Sequence, residues 1–249
     1  MTTSTSTKPL TNSMILRFFI AKELYYTHRS SSELWQYTKH VLKHHPPAKR
    51  SFQLVMSKMQ QEGFVKESFK EKRTTYYSLT DEGREYYQGI KLAYRDRLMA
   101  AKQVAAVFLY EITKEGERPK KGTTMIEKDR PFFSSLVSVK DVFRYIVLTR
   151  TYSGRTIVIA EPETEMLEIY GWKVSTSYAY EVAIEMEEDP EIGGLVTGKW
   201  EGERRRKRLL KITPLGRQFY ERIKQDTADR VRNAYHYLDT VIKEMDDSN

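Results

Sequence analysis

The chain is predicted to be mainly α-helical, with one unit written twice: three helices, a β-hairpin and a long helix, then the same order again. Three observations predict this. The stretch LTDEGREYY, Leu79 to Tyr87, has a near double 133 residues on in ITPLGRQFY, Ile212 to Tyr220. Each copy opens a long run with helical apolar spacing. What precedes each copy is also alike in kind, namely amphipathic helical segments and then a basic hairpin.

The long helices come first because their pattern is the clearest. Thr80 is a good N-cap and Asp81 and Glu82 suit a first turn, with no proline until Pro119. A seam of alternating three- and four-residue steps runs through Tyr87, Ile90, Tyr94, Leu98, Ala101, Ala105, Phe108 and Ile112. After the second copy Thr213 caps and Pro214 takes the first helical position. Its seam is Tyr220, Ile223, Thr227, Val231, Ala234, Leu238, Val241 and Met245, each the first set plus 133. One such seam is ordinary core packing; two in the same register read as an internal duplication. The helices are expected at about 81–115 and 214–246.

Upstream of the first copy, SMILRFFIAKELYY is apolar almost all round, as a buried helix is. SSSELWQYTKHVLK follows, with a capping box from Ser30 to Glu33. PPAKRSFQLVMSKMQQEG places Phe52, Val55, Met56 and Met59 on one face and stops at Gly63. FVKESF, KEKRTT and YYSLT then read as two strands around a basic loop. In the second half VKDVFRYIVLTRTY, EPETEMLEIYG and STSYAYEVAIEMEE supply the three helices, and LVTGKW, EGERRRK and RLLKIT the hairpin. The division is therefore an arm, expected to be disordered, over 1–12, a first domain over 13–116, a linker over 117–137 and a second domain over 138–249.

Three helices and a β-hairpin in this order describe a winged helix-turn-helix. SFQLVMSKMQQEGFV followed by KEKRTTYYSLTDEGREYY resembles the PadR-type winged-helix regulators, with the MarR-type group as a cousin, over about Ser51 to Tyr87. In the second half the resemblance is carried by RLLKITPLGRQFYERI. It implies double-stranded DNA as partner, a third helix inserted in the DNA, and dimerisation through the long helix. It also allows a small effector between a winged domain and its long helix. With two winged domains and two long helices in one chain, it implies a single-chain pseudo-dimer, which could pair again as a homodimer.

Charge points the same way. Residues 1–120 hold 21 Lys/Arg against 12 Asp/Glu, a net +9, whereas residues 121–249 hold 21 against 22, a net −1. A basic half suits an anionic partner such as nucleic acid. If Phe52, Val55, Met56 and Met59 face the core, Arg50, Gln53, Ser57 and Gln61 lie opposite, flanked by Lys49 and Lys58. On an unplaced helix these are an ordinary solvated face. On a third helix, Arg and Gln are the side chains that pair bidentately with guanine and adenine edges, and Ser and Lys hold phosphates. The wings add Lys70, Lys72 and Arg73 in the first half and Arg204, Arg205, Arg206, Lys207 and Arg208 in the second, as candidate phosphate or minor-groove contacts. The two third helices differ: residues 47–62 carry +2, whereas residues 175–189, with Glu181, Glu185, Glu187, Glu188 and Asp189, carry −5. Repulsion keeps an acidic helix out of a groove unless its acids point inward or pair elsewhere, so the first domain is expected to read bases.

Other chemistry is poorly supported. GGLVTGKW falls short of a phosphate-binding loop, because Trp200 stands where magnesium needs Ser or Thr and a strand follows where a helix should. His40 and His44 are one turn apart, with His28 and His45 near, but without Cys or further ligands they suit a helix end before Pro46. There is no Gly-x-Ser-x-Gly, and the acid pair Glu187 and Glu188 lies in a charge run, so no enzyme and no cofactor is expected. The 17 Tyr and 10 Phe fall largely on core seams. No apolar run nears a membrane span, the first residues lack a signal segment, and cysteine is absent. A cytoplasmic, nucleoid-associated transcription regulator is the expected role. A plasmid or viral partition or replication-origin protein, and a tandem winged-helix protein–protein adaptor, are the alternatives.

Overall fold

The computed structural model describes residues 8–120, 125–188, 194–202 and 207–247. Their contacts form two units, each discontinuous in sequence. The first gathers the described residues up to Gln103 with Met125–Phe133 and those from Asn233. The second gathers Val104 onward and Ser134–Arg232.

In the first unit the order is α1 (Asn12–Tyr26), β1 (Arg29–Ser30), α2 (Ser31–Val41), α3 (Lys49–Gln61), β2 (Val65–Glu71), β3 (Thr74–Leu79) and α4 (Asp81–Thr113), whose residues to Gln103 belong here. The Thr11 hydroxyl accepts from the Met14 amide at 3.1 Å and starts α1, which buries Met14, Ile15, Leu16, Phe18, Phe19, Ile20, Ala21 and Leu24. That all-round burial makes α1 the centre of the unit. Phe18 stacks on Tyr87 of α4 at 5.6 Å between ring centroids. The Ser30–Glu33 capping box closes as expected, with Glu33 accepting from the Ser30 amide at 2.7 Å. α3 buries Phe52, Val55, Met56 and Met59 and turns out through Gly63, at φ +77°. The sheet has three strands in the order β1-β3-β2, all antiparallel. The two-residue β1 is too short to show a period of two, so the sequence displays only the hairpin.

The second unit repeats this order: α6 (Val139–Thr151), β4 (Ile157–Val158), α7 (Ala160–Glu168), α8 (Thr176–Glu188), β5 (Val196–Glu201), β6 (Lys207–Ile212) and α9 (Pro214–Asp246). Its sheet runs β4-β6-β5. Both units are mainly helical with a small antiparallel sheet, an arrangement compatible with a winged helix-turn-helix. All eight seam positions of α4 are buried. On α9 Thr227, Val231, Ala234, Leu238, Val241 and Met245 are buried, and Tyr220 and Ile223 half-buried. Between the halves, a 3-10 turn (Glu127–Asp129) leads into α5 (Arg130–Val137), which carries buried Phe132, Phe133, Leu136 and Val137. Asp129, fully buried in the first unit, accepts from the Leu10 amide and the Arg97 guanidinium, each at 2.8 Å. No helix among the described residues is long and apolar enough to cross a membrane.

The repeated Thr-x-x-Gly-Arg is a joint with the same bonds in each unit. Thr80 Oγ1 accepts from the Gly83 amide at 3.0 Å and donates to the Gly63 carbonyl at 2.6 Å. Thr213 Oγ1 accepts from the Gly216 amide at 2.9 Å and donates to the Gly194 carbonyl at 2.5 Å. The arginines, Arg84 and Arg217, donate to the carbonyls of Tyr25 and Tyr152 at the C-terminal end of each unit's first helix and lie over those rings. Glycine is required because a Cβ on Gly83 would stand 2.1 Å from the Phe64 carbonyl oxygen, and one on Gly216 2.0 Å from that of Leu195. The repeated motif therefore locks the hairpin to the long helix in each unit. Gly83→Ala and Gly216→Ala are each expected to cost about 1–3 kcal/mol through overpacking. Gly89→Ala, on the same helix as Gly83 with nothing within 4 Å of the added Cβ, is expected to gain about 0.5–1 kcal/mol from helix propensity. Chemical denaturation of the three variants checks the opposite signs.

Candidate nucleic-acid interface

Helix α3 presents its polar face to solvent: Lys49, Arg50, Gln53, Ser57, Lys58 and Gln61 are all exposed, opposite its buried apolar stripe. Steps of three and four residues put Arg50, Gln53, Ser57 and Gln61 on one side. Leu54, absent from the sequence-based set, stands in the middle of that face and is 63% exposed. Its place four residues after Arg50 was the available signal. An apolar side chain there suits a thymine methyl group. Lys49 and Arg50 sit in the first turn, where no acid is present and the Ala48 cap makes no side-chain bond. Cations at that end oppose the helix dipole, and an anionic partner removes the conflict. None of Lys49, Arg50 and Lys58 forms an ion pair with another described residue.

The first wing is the β2–β3 hairpin. Lys70 lies in β2, with its ammonium 3.7 Å from Glu67, both ends exposed, so solvent screens that pair. Lys72 and Arg73 form the two-residue turn and are exposed. Lys72 holds φ +55°, which costs a non-glycine residue about 1–2 kcal/mol. The lysine at the tip therefore stands against backbone preference. A register shift between Glu67 and Phe69 bends β2, and Phe69 stacks on Tyr76 at 4.7 Å.

In the second unit the predicted basic wing divides. Arg204, Arg205 and Arg206 lie outside the described residues. Lys207 opens β6 and is exposed, opposite Glu201. Arg208 is a correction: it is 7% exposed and points inward, donating from Nε and Nη2 to Glu187 at 2.7–3.0 Å. It also lies 4.9 Å over the Trp200 ring. Strand alternation turns it to the core while Lys207 faces water, so it is spent on the acidic helix and not on a phosphate. Gly198, the glycine of the phosphate-loop-like stretch, serves the same carboxylate. Its amide donates to Glu187 at 3.0 Å, and a Cβ there would lie 2.3 Å from Glu187 Oε1.

Two acids of α8 are thus accounted for by internal pairing. Glu187 takes Arg208, and Glu185 takes Lys140 and Arg144 at 2.8 Å each. The Lys140 hydrogen bond is the largest influence holding the Glu185 carboxyl below its usual range. Asp189 lies outside the described residues. Glu181 and Glu188 remain exposed, sharing the outer face of α8 with Ser177, Tyr180 and Ile184.

The histidines do not gather as ligands. His44 faces His236 at 5.3 Å between centroids, His45 packs edge-on against Tyr237, and burial lowers the His45 pKa. Among the described residues no group of three or more His, Asp or Glu is placed to hold a metal ion. A cavity of about 350 Å³ in the first unit lies beside α3, walled by Arg17, Lys58, Phe64 and Tyr86, with Arg17 bonded to Glu62.

No protein-family model matches the chain, and no curated protein matches it. Among solved structures it is similar to Bacillus subtilis PadR in complex with operator DNA, at 14% identity over 92% of this chain and 97% of that one, with a TM-score of 0.27. At that score the likeness is not an argument about function.

Proposed function

We propose that this protein binds double-stranded DNA with sequence preference and acts as a transcriptional regulator, with no catalytic step and no cofactor. The observation that carries the reading is the outer face of α3. Arg50, Gln53 and Ser57 stand exposed with Lys49 and Lys58, on a helix whose other side is packed into the first unit. Side chains that read guanine and adenine edges lie in the centre and cations for phosphates at the margins. Lys70, Lys72 and Arg73 extend the basic surface along the wing. The chain acts as a single-chain pseudo-dimer descended from a duplicated unit. The common element order, the common joint and the crossed membership of the long helices support this, since α4 ends in the second unit and α9 in the first. The halves are unequal: the first unit reads bases, and the second adds the phosphate contacts of its wing through Lys207 and the arginines before it.

Fluorescence anisotropy against the protein's own upstream DNA and an unrelated duplex of equal length tests this. Preferential binding to the upstream fragment is expected. With four or more phosphates neutralised, the logarithm of the binding constant is expected to fall with that of salt at a slope of about −4 or steeper. Equal binding to both duplexes would remove the regulator reading, and absence of binding at low salt would remove DNA.

A further inference from the structure

The outer face of α8 is built differently from that of α3, and the difference is complementary. On α8, Glu181 and Glu188 bracket Ile184, which is 39% exposed, and neither acid is paired with another described residue. Tyr180 beside them is stacked on Trp200 of β5 at 5.5 Å, with the planes 11° apart. On α3, Arg50 and Lys58 bracket Leu54. Seven residues separate the acids and eight the bases, rises of about 10.5 and 12 Å along a helix. The acid–apolar–acid stripe on α8 thus matches in length and complements in charge the base–apolar–base stripe on α3.

We infer that α8 of one chain docks on α3 of a second copy, Ile184 against Leu54 and the two acids against Arg50 and Lys58, so that the protein self-associates through unlike faces. Like-on-like pairing of either face is ruled out by charge. Two α8 faces would set glutamates against glutamates, and two α3 faces would set cations against cations. Only the contact of unlike faces matches both sign and apolar centre; made twice across a two-fold axis it closes a dimer, and made once per neighbour it propagates into an open chain or a ring. Internal pairing of Glu185 and Glu187 leaves, among the described residues of α8, Glu181 and Glu188 as the acids of the outer face. The contact is small, and so weak and sensitive to salt.

The test is sedimentation velocity on the full chain without DNA, at low salt and up to about 1 mM, the weak end of specific binding. Two charge-reversed forms go alongside, Glu181→Lys/Glu188→Lys and Arg50→Glu/Lys58→Glu. The wild type is expected to associate with rising concentration, and each reversed form to lose more than about tenfold in association constant. An equimolar mixture of the two forms is expected to associate again, because each then meets its opposite. Circular dichroism melts confirm that each form is folded, and Glu181→Gln/Glu188→Gln replaces the first if it is not, with the same direction of loss expected. A wild type that stays monomeric throughout, or association undiminished in the folded variants, overturns the inference. So does a mixture of folded forms that does not recover. DNA is absent from the test, so its failure is separate from failure of the DNA reading.

Discussion

Arg50→Ala is expected to cost about 1–3 kcal/mol in binding to the preferred duplex, about 5- to 150-fold, and to relax preference at one base position. Lys58→Ala is expected to weaken all duplexes evenly and to reduce the salt slope by about one, as loss of a phosphate contact does. The double variant should therefore lose both affinity and discrimination. Folding should not change, because both side chains are exposed and unpaired among the described residues, and such substitutions stay within about 0.5 kcal/mol. Anisotropy titrations at two salt concentrations, with a thermal melt of each variant, check this. A double variant that binds both duplexes as the wild type does would take α3 out of the interface.

Glu187→Ala is expected to be the most damaging single substitution in the second unit. It leaves the guanidinium of Arg208 buried without its carboxylate and strips the acceptor from the Gly198 amide. Breaking a buried pair by removing one partner costs about 3–5 kcal/mol, whereas replacing both by apolar groups of similar volume is often neutral. Glu187→Met/Arg208→Met is therefore expected to recover most of the loss. Glu188→Ala, one residue on and exposed, should change stability by no more than about 0.5 kcal/mol. Denaturation midpoints of the three variants test whether the acids of α8 differ by position and not by composition. Equal losses at 187 and 188 would contradict the pairing.

The exposed polar face of α3 was legible because helical periodicity separates Phe52, Val55, Met56 and Met59 from Arg50, Gln53 and Ser57 without any tertiary information. Leu54 escaped because an apolar residue on a polar face gives no periodic signal of its own. Arg208 escaped for another reason. In RRRKR every residue looks alike as a charge, and only strand pairing decides which one turns inward. Residues 130–137, in the charged stretch between the halves, form a helix whose phenylalanines are covered only once the unit has assembled around them.

By itself the sequence determined the main helices and hairpins and their order, the seams of the long helices, the capping residues and the charge contrast between the third helices. All of these follow from spacing along one chain, where neighbours are three or four residues apart. Tertiary structure alone decided which charges are spent inside and which stay available. Glu187 and Arg208 are 21 residues apart, Glu185 and Arg144 41, and pairing at that separation is set by how helix and hairpin pack. It also decided that α4 and α9 are each shared between the two units. A continuous seam records that a helix face is buried, and only packing determines which unit buries it.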